Sequence, residues 1–129
     1  MVTELILETC MALRDGREQN ACTAFSGIIA EAADNEALQA ISCCLLVALR
    51  HRQRQLFAAW MQESRPRLEQ LLVNPQLAHQ GGSVLLRLTF AVCDRRLDEV
   101  RPMLALLVRC WLRTYAGDTA VLQECMGEW

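Results

Sequence analysis

The side chains able to do chemistry in this chain are seven cysteines, two histidines and thirteen basic residues, every one an arginine. Cys10, Cys22, Cys43, Cys44, Cys93, Cys110 and Cys125 are odd in number and contain no C-x-x-C pair. Six of them sit in apolar helical patterns, where a reduced thiol behaves as a small hydrophobe. Adjacent Cys43 and Cys44 face two sides of one helix and cannot chelate by themselves. His51 lies in the basic stretch Arg50-His51-Arg52-Gln53-Arg54, and His79 in a polar stretch before Gly81. Neither has metal-ligand spacing, so both are expected to be solvated. The absence of lysine excludes Schiff-base, P-loop-lysine and lysine-base chemistry. An enzyme would need Cys, His and Asp assembled in space from distant segments. The expectation is a non-enzyme with no catalytic residue, no metal and no cofactor.

Gly81-Gly82-Ser83 is the one glycine cluster. Backbone N–H groups there could hold an anion, but no strand precedes them and the longer glycine pattern of nucleotide sites is missing. A flexible connector with Ser83 as N-cap of the following helix is the simpler expectation.

Charge falls in blocks. Residues 1–49 carry seven acids and two arginines, residues 50–67 five arginines and one acid, and the remainder seven acids and six arginines. The net charge of −2 therefore averages over an acidic start and a basic middle. Arg50, Arg52 and Arg54 can pair within the molecule, fork onto a partner's carboxylates or meet phosphates. Aromatics do not interleave them, which disfavours single-stranded nucleic acid.

Residues 103–115 are apolar nearly all round, with only Arg109, Arg113 and Thr114 polar. Two readings stand. The helix is central to a bundle, or one face with Leu104, Val108 and Leu112 awaits a partner, Trp111 contributing beside it.

The elements that position these groups are helical. Ile41, Cys44, Leu45, Ala48 and Leu49 follow the i, i+3, i+4, i+7, i+8 pattern, and Met103, Leu106, Leu107, Cys110 and Trp111 repeat it. No run alternates with period two, so the fold is expected to be all-α, with about six to eight helices. Helices are predicted near 3–14, 18–33 and 36–51, with Asp15-Gly16 and Asp34-Asn35 as punctuation. Pro66 should end or kink a fourth. Asn74-Pro75 and Gly81-Gly82-Ser83 should bracket a loop, Asp94 should mark a turn, and Gly117-Asp118 should cap a short last helix ending at Cys125-Met126. Trp60 and Met61 are expected inside the middle hairpin, and Trp129 either folds back or anchors a partner.

Length predicts one domain, 1–129, within the usual range of roughly 100–200 residues. A content of 53% hydrophobic residues excludes a disordered chain. Glu4 and Glu8 interrupt the N-terminal apolar run, so no secretory signal is read. No apolar run, Met103–Val108 included, approaches the about twenty residues that span a bilayer. A cytoplasmic location is expected.

Ala12-Leu13-Arg14, Ala48-Leu49-Arg50 and the stretch Phe90–Leu97 form a weak internal repeat of helix ends before polar turns, suggesting stacked hairpins. Gly16, Ala21 and Phe25 stand at the spacing of the turn residue, small residue and aromatic of a tetratricopeptide hairpin. The turn at Arg95, with Leu97, Val100, Leu104 and Leu107, keeps that phase without the glycine. The chain thus resembles a degenerate tetratricopeptide-type protein. It is also similar to the small, acidic export chaperones of bacterial type III secretion, which hold a helical client in an apolar groove. That resemblance implies a chaperone or associated regulator binding a helical or extended protein segment, alone or as a homo- or hetero-oligomer. Leu104, Val108, Leu112 and Trp111 would supply affinity, and Arg50, Arg52 and Arg54 orientation. A small helix-turn-helix transcriptional regulator is the alternative, with the segment after Arg50 as its recognition helix.

Overall fold

Six α-helices account for most of the chain in the computed structural model, which describes residues 2–115: α1 Val2–Arg14, α2 Glu18–Glu31, α3 Asp34–Arg50, α4 Arg54–Leu72, α5 Ala78–Asp94 and α6 Arg101–Tyr115. Short 3-10 turns at Pro75–Leu77 and Asp98–Val100 lead into α5 and α6. No strand occurs among the described residues, and the fold is all-α. The expected cap at Gly117-Asp118, the last short helix, Cys125 and Trp129 lie outside the described residues.

Three helices end in the same way, and the reason is local. The C-terminal carbonyls of a helix lack partners, and a residue at positive φ turns the chain so that following N–H groups can reach them. At the end of α1, Gly16 has φ +74°, its N–H donates to Leu13 O, and Arg17 N–H donates to Ala12 O at 2.8 Å. At the end of α3, Arg52 has φ 60°, its N–H donates to Leu49 O, and Gln53 N–H donates to Ala48 O at 2.9 Å. At the end of α5, Arg96 has φ 53°, its N–H donates to Cys93 O, and Leu97 N–H donates to Val92 O at 3.0 Å. These are three Schellman caps. Only the first uses the glycine that the left-handed conformation favours.

Two expectations about breakers are revised, the first only in its helix-ending half. Pro66 does not end α4, which runs through it from Arg54 to Leu72. Proline removes one i to i−4 hydrogen bond. Gln62 and Pro66 both lie on the exposed side, where water can replace that bond. The second correction concerns Gly81-Gly82-Ser83, which is neither a connector nor a helix start. All three residues lie inside α5, and both glycines are buried. A Cβ on Gly81 would stand 3.0 Å from Leu72 Cδ2 and 3.3 Å from Trp111 Cδ1, so the glycine is there for close packing. The capping role falls to Asn74, whose side chain accepts from Gln76 N–H at 3.0 Å and starts the 3-10 turn before α5.

The chain divides into two compact units, Met1–Ser64 and Arg65–Trp129, with the boundary inside α4. In the first, α1, α2 and α3 pack on one another. Its interior holds Phe25, Ile28, Leu38, Ile41, Leu45, Phe57, Trp60 and Met61, all fully buried. Ser26 Oγ donates to the Glu63 carboxylate, tying α2 to α4. In the second unit α5 packs on α6. Trp111 Nε1 donates to Ala78 O at 2.9 Å, and Tyr115 Oη donates to Asn74 O at 2.6 Å. Both rings of α6 thus close polar groups at the start of α5.

Candidate functional site

Arg50, Arg52 and Arg54 are brought together on the turn between α3 and α4, and all three are exposed. The Schellman cap explains the display: Arg50 ends α3, Arg52 holds the left-handed position and Arg54 opens α4. Cations beside the C-terminus of α3 also complement its dipole. This turn adjoins the one after α1. Ala12, Leu13, Gly16 and Glu18 line a small cleft with Gln53 and Leu56. Its volume is about 70 Å³, far below the roughly 300 Å³ at which small-molecule sites begin. On the α1 side, Arg14 Nε donates to Asp15 Oδ1 at 2.9 Å and Arg17 lies 3.4 Å from Oδ2. The Arg14 hydrogen bond holds the Asp15 carboxyl below its usual range.

The α6 residues singled out from the sequence are not equivalent. Leu104, Val108 and Leu112 form one i, i+4 stripe that crosses from the interior to the surface. Leu104 is buried at 5% exposure, Val108 is half-buried and Leu112 is 44% exposed. Trp111 is buried and hydrogen-bonded to α5, so it belongs to the packing of that unit. The buried face of α6 is Leu104, Leu107, Trp111 and Tyr115.

The opposite face carries Ala105, Leu106, Arg109, Leu112 and Arg113, all exposed. Helical geometry puts the two leucines at its rims, with the arginines between them. No acid lies on α6. Leu106 was missed because it completes the same five-point apolar pattern as buried Leu107 and Trp111, and periodicity alone does not say which arc α5 covers. Phe90 of α5, 63% exposed, and Leu7 and Met11, one turn apart on α1, are further apolar side chains in solvent.

Neither histidine joins a constellation with these groups. His51 is half-buried at the end of α3, and His79 lies in the first turn of α5, not in a loop. Among the described residues, no group of three or more His, Cys, Asp or Glu is arranged to hold a metal ion. No described helix is long and apolar enough to cross a membrane. No protein-family profile, curated protein or solved structure matches the chain.

Proposed function

We propose that this chain is a non-enzymatic protein-interaction module that holds a helical, acidic segment of another protein against the exposed face of α6. The observation that carries the reading is the composition of that face. Leu106 and Leu112 stand in solvent beside Arg109 and Arg113, with no acid on the helix to neutralise them. Apolar anchors supply affinity when buried against a partner helix, and arginine forks select carboxylates and fix register. The exposed Arg50, Arg52 and Arg54 turn offers a second acid-seeking surface on the other unit. Beyond Arg54, α4 turns Leu56, Phe57, Trp60 and Met61 inward, which favours a protein partner over duplex DNA. In its sharper form the reading is a cytoplasmic type III secretion chaperone, or an associated regulator, that keeps a helical client soluble. Its support is the helical-hairpin resemblance in the sequence together with the exposed α6 leucines.

Affinity capture from the native host with three forms of the protein tests this. A small protein that co-purifies stoichiometrically with the wild type should be lost from a Leu106→Asp/Leu112→Asp variant whose far-UV circular dichroism is unchanged. Leu104→Asp, which puts a charge among buried residues, should instead lose helical signal. Equal capture by the wild type and the double variant would overturn the assignment to α6, and capture of nothing by a monomeric wild type would overturn the function.

A further inference from the structure

Three thiols meet between α1 and α3. Cys10 on α1 is half-buried, Cys43 on α3 is exposed, and Cys44 beside it is buried. The two helices pack directly on each other. The Cys10 thiol neighbours Cys43 across that contact, and Cys44 lies near Cys10, Cys43 and the Thr9 side chain. Nothing in the proposed α6 surface uses this cluster.

We propose that Cys43 and Cys10 form a redox pair, closing to a disulfide that clips α1 to α3 when the protein meets a low-molecular-weight disulfide. Cys43 is the entry point because it is the exposed member, and an attacking thiol must be reached by the oxidant. Its thiolate attacks one sulfur of the small disulfide. That S–S bond breaks, one small thiolate leaves and takes up a proton, and Cys43 carries a mixed disulfide. Cys10, its neighbour across the packed α1 and α3, gives its proton to solvent and attacks the Cys43 sulfur. The second small thiolate leaves and is protonated. In balance, two protein thiols are oxidised to one cystine, and one small disulfide is reduced to two thiols. Cys10 suits the second role: burial, and then the neighbouring Cys43, raise its thiol above the ordinary value, so it is a poor first nucleophile. Cys44 stays outside the exchange, since burial pushes its thiol up to about 12. The bridge would close a loop of roughly thirty residues and fix α1, which carries exposed Leu7 and Met11.

Oxidised glutathione added to the folded, fully reduced protein tests the pair, followed by iodoacetamide quenching and peptide mass spectrometry. The expected product is a Cys10–Cys43 bridge, lighter than the dithiol by two hydrogens, forming in the wild type and in Cys44→Ala alike. Cys93 is the internal reference and should retain glutathione, as an exposed thiol outside the pair. Cys10→Ser should leave glutathione on Cys43. The bridge should also form at least about tenfold faster in the folded chain than in urea, because the fold holds the thiols together. Glutathione persisting on wild-type Cys43 as it does on Cys93, a bridge joining other cysteines, or equal rates in the folded and urea-unfolded chain would each overturn the proposal.

Discussion

The rings of Phe25 and Trp60 lie face to face, with centroids 4.3 Å apart and planes 6° from parallel, joining α2 to the first half of α4. Both are fully buried. Trp60 Nε1 nevertheless has no hydrogen-bond partner. Aromatic burial and an unsatisfied N–H therefore oppose each other in one side chain.

Two substitutions separate these effects. Trp60→Ala removes the stack and leaves a cavity, and should destabilise the protein by about 3–5 kcal/mol. Trp60→Phe keeps a ring against Phe25 and deletes the unpaired donor, so its cost should stay below about 1.5 kcal/mol. Urea unfolding followed by circular dichroism distinguishes them. Equal losses would mean that the indole's full area, and not the stack, carries the stability.

The three Schellman caps give changes of opposite sign. Nothing lies within 4 Å of the point where a Cβ on Gly16 would stand, so Gly16→Ala tests the backbone alone. At φ +74° the change should cost about 1 kcal/mol. Arg52→Gly and Arg96→Gly relieve the same strain and should each stabilise by roughly 0.5–1 kcal/mol, partly offset by the greater freedom of glycine in the unfolded chain. Thermal melts of the three variants read the signs directly.

Glycines inside helices are predicted to diverge too. Ordinarily Gly→Ala in a helix gains up to about 1 kcal/mol. At Gly27 the new methyl would meet Leu5 side-chain carbons at 3.4 and 3.5 Å, an ordinary contact, so Gly27→Ala should stabilise. At Gly81 it would press on Leu72 and on Trp111, whose ring is held by the hydrogen bond to Ala78. Gly81→Ala should therefore destabilise by about 1–2 kcal/mol. Matching signs in denaturant unfolding would refute the packing explanation for Gly81.

That contrast also explains what could be read from residues alone. Helices near 3–14, 18–33, 36–51 and 103–115 were legible because apolar spacing and local punctuation such as Asp15-Gly16 act within a few residues. Gly81-Gly82 was not, since its meaning depends on Trp111, far downstream on α6. Pro66 left an end and a kink both open for a related reason: a helix tolerates the loss of one hydrogen bond where the exposed side admits water. On α6 the apolar helix itself was legible, whereas the division between buried Leu104 and exposed Leu112 depends on the packing of α5. The cysteine cluster gave no signal in sequence, because Cys10 and Cys43 are neighbours only through helix packing.

Cys44 makes stability depend on alkaline pH. Its thiol is pushed up to about 12, mainly by burial and then by Cys10 and Cys43, from an ordinary value of 9.0. The folded state therefore holds the proton more tightly than the unfolded chain. This contribution is fully present below about pH 9 and is lost progressively as pH rises from there towards 12. Cys44→Ala removes the titrating group, at the expense of a small packing loss that does not vary with pH. Under reducing conditions, urea midpoints of wild type and Cys44→Ala should run parallel from pH 7 to about 8.5, and above that the wild-type midpoint should fall more steeply. Parallel curves up to pH 11 would show that the Cys44 thiol ionises as readily in the folded protein as in the unfolded one, and that its burial between α1 and α3 does not hold the proton.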